Sequence, residues 1–228
     1  MALGPFGAAD KLKEGGRPAT IVLLMRHGET AWNREGRVMG RQPVDLDQAG
    51  REQVERAVPL ARLLAPEVII SSPLARARQS AQIIADGTGV REVFADPRLE
   101  EVRYGTWENK TYHQLIQDPH YVGYRRAPLE SRTPGGETIA EVQARGVAAV
   151  ETAIAAYRGR RVLLVSHGDI IRTILCHYLK LELKHFHRVR VDNASFFGLE
   201  INHDFAEVKF MNLLPDPERA FKLPFKRD

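Results

Sequence analysis

The chain has 228 residues, 43% of them apolar and 27% charged, with a formal net charge of +4. Those proportions fit a globular chain long enough to bury a large core without a metal or disulfide staple, and its one cysteine, Cys176, excludes an internal disulfide. Basic and acidic residues alternate with no block of five Lys or Arg, which argues against a nucleic-acid partner, and no run of eighteen apolar residues exists to cross a membrane.

Residues 1–19 lack the apolar stretch of a signal peptide and are expected to form a flexible leader, with the cytoplasm as the expected compartment. Ile21–Met25 predicts a strand buried on both faces, ending on Arg26, His27 and Gly28. Asp47 is expected to cap a helix reaching about Leu64, with Val54, Val58, Ala61 and Leu63 or Leu64 on one face. Pro59 within it predicts a kink or an early break. Val68–Ser71 predicts a second buried strand, and Pro73 marks the start of a helix that runs to about Asp86 and ends on "DGTG". Val93–Phe94 is a third short strand. Residues 96–136 contain Pro97, Pro119, Pro128 and Pro134 and predict an irregular functional segment or lid with one short helix over Tyr112–Gln117. Its aromatics Trp107, Tyr112, Tyr121 and Tyr124 would pack the lid or wall off the organic part of a ligand. Glu137–Tyr157 predicts a long helix, Arg161–Val165 a strand, and Asp169–Leu179 a helix holding Cys176 as a small core residue. Val189–Val191, Ser195–Ile201 and Ala206–Leu213 read as strands with a turn at "NHD". No linker divides the chain, so one α/β domain over 20–214 is expected, its sheet mostly parallel with an antiparallel edge, followed by a tail over 215–228.

Two of the apolar runs end alike, on His27-Gly28 and on His167-Gly168. In an open α/β sheet, ligands bind beyond the carboxyl ends of the strands. One histidine there is commonly a loop residue; two in matching contexts suggest shared chemistry. Arg76 falls at the front of the helix after the second strand, where free N–H groups and the helix dipole favour anions. Guanidinium forks match phosphate oxygens. Arg26, His27, Arg76 and His167 therefore suit a doubly charged phosphoryl group, with Asn33 as a further hydrogen-bond donor, and a mild positive balance suits an anionic substrate. Arg78 reads as a surface charge. His185 and His187 in "KHFHR" have only generic metal-binding spacing and read as surface or interface residues, so no metal site is expected.

The segments "RHGETAWN", "SSPLARARQSA", "RLEEVRYGTWEN", "TPGGET" and "VSHGDIIR" occur in this order over about residues 20 to 200. Together they resemble the blocks of the histidine phosphatase superfamily, in the branch that holds cofactor-dependent phosphoglycerate mutases and many small phosphatases. The resemblance implies a phosphoglycerate mutase-like, three-layer α/β/α sandwich. It implies that His27 is the nucleophile that becomes a phosphohistidine, that Arg26, Arg76 and His167, the last as a protonated imidazole, hold the phosphoryl oxygens, and that Asn33 is their polar neighbour. The family's Leu-x-Glu pattern, counted from Leu99, makes Glu101 the proton donor and Glu100 a solvated neighbour. Gly28, Gly40 and Gly168 match positions of close backbone approach to the ligand, and Thr30 a secondary contact. The implied activity is metal-independent and cofactor-free hydrolysis of a small phosphorylated metabolite. Exposed strands allow a homodimer.

Two other readings stand beside it. Mutases of this family carry Glu-Arg-His-Tyr-Gly where this chain has Glu101-Val102-Arg103-Tyr104-Gly105. His167 follows Glu101 by only 66 positions (167 − 101), where mutases have a longer insertion. Mutases also have Asn after the second His-Gly, whereas Asp169 here would repel a second phosphate if it faces the pocket. These departures favour a phosphatase over a phosphoglycerate mutase. A non-catalytic phosphate-binding module is the third reading, disfavoured because every catalytic candidate is present. Specificity is expected in residues 102–136 and around Arg41 and Arg190.

Overall fold

In the computed structural model, which describes residues 18–202 and 205–215, the first apolar run forms strand β1 (Thr20–Arg26). It is followed by a single capped turn, α1 (Ala31–Arg34), and by α2 (Gln48–Leu64), whose N-cap Asp47 accepts from the Gly50 N–H at 2.8 Å. Then come β2 (Val68–Ser71), α3 (Ala75–Thr88) and the short β3 (Val93–Ala95). The irregular segment contributes 3₁₀ turns at Pro97–Leu99 and Gly105–Trp107 and two short helices, α4 (Tyr112–Leu115) and α5 (Pro119–Arg126). The chain continues with α6 (Ile139–Ala156), β4 (Arg161–Ser166), α7 (Gly168–Tyr178), a 3₁₀ stretch at Leu183–Arg188, β5 (Phe196–Ile201) and β6 (Ala206–Leu213).

The six strands form one sheet in the order β3-β2-β4-β1-β5-β6. The first four are parallel, and β5 and β6 add the antiparallel edge. Alternate residues of the parallel strands face opposite layers. Leu23, Met25, Ile69 and Val165 pack with Val54 and Ala61 of α2 and Ala81 and Ile84 of α3. Val22, Leu24, Val162 and Leu164 pack on the other face with Val142 of α6 and Ile170 and Ile174 of α7. The result is the expected three-layer α/β/α sandwich, with Cys176 fully buried in the second core. Each such Val, Leu or Ile contributes about 1.5–3 kcal/mol through burial.

Several elements differ from expectation. α2 runs unbroken through Pro59, which lies on its exposed face, so the carbonyl that loses a partner there is left to water. Val58 is half-buried and Leu63 is exposed; the buried stripe uses Gln53, Val54, Ala57 and Ala61. α5 has no counterpart in the sequence reading: Asp118 caps it and Pro119 occupies its first turn, where proline fits. α4 stops at Leu115, short of Gln117. Val189–Val191 is not a strand, because its carbonyls serve arginines instead: Val191 accepts from Arg26 at 2.8 Å and Val189 from Arg172 at 3.0 Å. Of the turn at "NHD", only Asn202 lies within the described residues; residues 1–17 of the leader and 216–228 of the tail lie outside them.

Candidate active site

Register brings the two His-Gly pairs together. Arg26 pairs with Ser166 across β1 and β4, so His27 and His167 leave the sheet side by side. Their ring centroids are 5.1 Å apart. Nδ1 of His27 lies 2.6 Å from the Gly28 carbonyl oxygen. A carbonyl only accepts, so Nδ1 carries the hydrogen and Nε2 keeps a free lone pair. Burial, then the charges of Arg76 and Arg26, hold the imidazole well below its ordinary range, and it is neutral.

Arg76, the second residue of α3, is fully buried. Its terminal nitrogens donate to the carbonyls of Gln42 (3.1 Å) and Gly40 (2.7 Å). Burial pushes the guanidinium down to about 10, so it remains charged at neutral pH. Its Nε has no partner, and neither does Nε of Arg26 nor Nδ1 of His167. Nε2 of His167 meets Ser72 Oγ at 2.8 Å. Burial first, then the charge of Arg76, holds His167 well below its ordinary range, so it is neutral in the free protein. Buried polar groups without partners each cost about 1–3 kcal/mol. Three of them beside one another form a deficit that an anion's oxygens would fill.

Arg26, His27 and Arg76 line a cavity of about 340 Å³, together with Asn33, Gly40 and Glu101. Glu101 accepts from the N–H groups of Val102 (3.0 Å) and Asp169 (3.3 Å). Burial and then the Asp169 charge raise its carboxyl above the ordinary range. Its backbone is clamped: Arg145 donates to the Glu101 carbonyl at 3.1 Å and Arg41 at 3.3 Å. Both arginines also bind the Glu137 carboxylate, which accepts from the Arg103 N–H at 2.9 Å. Glu100 is not solvated as expected; it pairs with Arg41 at 3.0 Å.

The remaining candidates divide. Gly168 opens α7 with room for a Cβ, its nearest neighbours being the Arg172 and Arg26 guanidiniums at 3.5 and 3.7 Å. Gly40 has φ +51° and faces the cavity. At Gly28 a Cβ would lie 2.6 Å from the Gly50 carbonyl, so close packing against α2 explains that glycine. Thr30 is fully buried as the cap of α1, bound to Asn33 in a capping box. Trp107 is core, edge-on to Tyr121 and Tyr124 at 5.3 and 5.4 Å. Arg78 is exposed, as expected. His187, expected at the surface, lines a neighbouring cavity, and burial pushes its imidazole down to about 4.

Sequence reasoning misses Asn193. Its amide donates to the carbonyls of His27 (3.1 Å) and Gly28 (3.3 Å) and to Asn33 Oδ1 (3.4 Å), fixing the loop that carries His27. It also misses Arg172, although the i,i+3 spacing from Asp169 on a helix carries a signal.

The model of the histidine phosphatase superfamily (branch 1) matches residues 22–214. A protein of Enterobacter sp. (strain 638) named probable phosphoglycerate mutase GpmB is 35% identical over 183 residues, covering 78% of this chain and 84% of its own. Among solved structures, Bacillus stearothermophilus YhfR is 28% identical with a TM-score of 0.80, over 86% of this chain and 98% of its own. A mycobacterial glucosyl-3-phosphoglycerate phosphatase in complex with VO3 is 29% identical with a TM-score of 0.76, over 85% of this chain and 98% of its own.

Proposed function

The chain belongs to the histidine phosphatase superfamily, branch 1, and from that premise we propose that it is a metal-independent phosphomonoesterase working through a phosphohistidine. The observation that carries this reading is the trio of buried, unpaired nitrogens on Arg26, Arg76 and His167 beside the free Nε2 of His27. The phosphoryl group of a small ester sits on those nitrogens, with Asn33, Gly40 and Gly168 around it. Nε2 of His27 attacks phosphorus in line with the ester oxygen. The P–N bond forms as the P–O bond breaks, and the guanidiniums stabilise charge on the equatorial oxygens. Bound phosphate draws a proton onto His167, because an adjacent dianion raises an imidazole pKa. Glu101 gives its proton to the leaving alkoxide, then takes one from the water that cleaves the P–N bond.

The relative named a probable mutase makes phosphoglycerate mutase the alternative; there the phosphoryl group would pass to a hydroxyl of phosphoglycerate rather than to water. The test is rapid acid-free quenching during turnover of a radiolabelled phosphomonoester. Label should appear on the protein, labile to acid and stable to base, alongside released phosphate. It should be absent in His27→Ala. Turnover by His27→Ala, or transfer to phosphoglycerate without phosphate release, would reject the reading.

A further inference from the structure

Beyond the phosphoryl floor the cavity meets a second space of about 210 Å³. Tyr104, Asp169 and Arg172 line both and stand where they join. The Tyr104 hydroxyl donates to one oxygen of Asp169, and the Arg172 guanidinium donates to the other. Nε of Arg172 is committed to the Val189 carbonyl at 3.0 Å. A hydroxyl and a guanidinium converging at a pocket mouth are a receptor for a carboxylate. Here the protein's own carboxylate occupies it. The side chains are only 13% (Asp169) and 25% (Arg172) exposed, so water screens the pair weakly.

We infer that Asp169 is a specificity-determining residue that takes the place of an acidic group on the substrate, so that the pocket accepts phosphomonoesters of neutral, hydroxyl-bearing alcohols and rejects those whose alcohol carries a carboxylate or second phosphate near the ester. This rests on the phosphomonoesterase reading above. An incoming carboxylate would lie beside a like charge and find the Tyr104 and Arg172 donors already used. The buried groups without a partner that line the second space are Nε2 of His187, on a neutral ring, and the Tyr124 hydroxyl. A neutral imidazole suits a hydroxyl, which can donate or accept. Arg125 also lines the second space, but it is exposed at the rim, where solvent screens its charge.

The test compares kcat/KM for glycerol 1-phosphate and 3-phosphoglycerate, which differ by a hydroxymethyl group in place of a carboxylate, with an aryl phosphate as reference. The wild-type protein should prefer glycerol 1-phosphate by about 10- to 100-fold, the scale of one charge-assisted hydrogen bond. Asp169→Asn frees Arg172 and should shrink that ratio by a similar factor. Arg172→Ala leaves the Asp169 charge without its cation and should widen it. The ratio is taken within one protein, so a loss of folded fraction cancels. An unchanged ratio in both variants, a wild-type preference for 3-phosphoglycerate, or turnover of the aryl ester with neither three-carbon ester accepted would overturn the inference and leave the phosphatase reading standing. Failure on all three substrates would instead remove that reading.

Discussion

Glu101 shows how much one side chain's chemistry depends on neighbours far away in the sequence. Asp169 acts on it twice, through an N–H that holds the carboxylate and a charge that favours its proton. Because the Glu101 pKa is raised, the protonated acid persists above the ordinary carboxylate range, and its donor function is lost as pH rises through the raised value. Turnover of alkyl phosphates should therefore fall on the alkaline side. Glu101→Gln should lower kcat for an alkyl phosphate by about 10²–10⁴ and for a p-nitrophenyl ester far less, since that leaving group needs little protonation. Equal losses on both, with an unchanged pH profile, would remove Glu101 from the acid role. At this scale His27 and His167 are legible in the sequence, because each ends an apolar run and two such runs must lie in one sheet. Asn193 is not: an Asn in a loop looks like turn chemistry until folding sets it against His27, 166 positions away. Glu100 and Glu101 are adjacent and identical; only the spacing from Leu99 favours the second, and the fold separates them, with Glu100 paired to Arg41 and Glu101 lining the cavity.

Among the elements, those with a strict pattern are the readable ones. β1, β2 and β4 are continuous apolar runs, and α2, α6 and α7 carry apolar stripes, the first two behind capping side chains. Residues 96–136 lack such a pattern: their core side chains, among them Leu99, Trp107, Leu115 and Tyr124, follow no period, and close backbone contacts hold the turns between them. Gly105 shows the cost of such contact. It has φ +59°, and a Cβ there would stand 1.8 Å from the Pro134 carbonyl oxygen. At Gly136 a Cβ would meet the Arg103 carbonyl at 1.8 Å. These two glycines let the Glu101 block lie directly on the turn that carries Glu137. Gly105→Ala should cost about 1–3 kcal/mol from the positive φ alone, with the clash adding to it. Urea midpoints would measure that loss. In the fraction still folded, kcat should fall more than KM rises, because what moves is the backbone under Glu101 and not Arg26, Arg76 or His167. A variant with wild-type stability and kcat would show that the two turns do not need this contact.

For the molecule as a whole, a pocket built around buried histidines sets a pH limit on stability. His27 and His167 are held well below 6.5, chiefly by burial and then by Arg76, and His187 is pushed down to about 4, chiefly by burial. Unfolded, each would titrate near 6.5. Between those values the unfolded chain binds more protons than the folded one, so stability rises with pH and is lost as pH falls below about 6.5. Glu101 works in the opposite direction, since its raised pKa makes the folded state bind the extra proton above 4.5. One carboxyl opposes these three imidazoles and a fourth, His177, which burial also lowers, and the histidines prevail. The net loss between pH 7 and pH 5.5 should be on the order of 2 kcal/mol, read as a falling denaturant midpoint. His27→Gln should recover part of it. Millimolar inorganic phosphate should flatten the slope further, because an anion on Arg26 and Arg76 removes the charge repulsion that forbids imidazolium beside them. A midpoint independent of pH, or one that phosphate shifts by the same amount at pH 7 and 5.5, would mean that the two histidines are not the buried, neutral and cation-flanked pair on which the proposed chemistry depends.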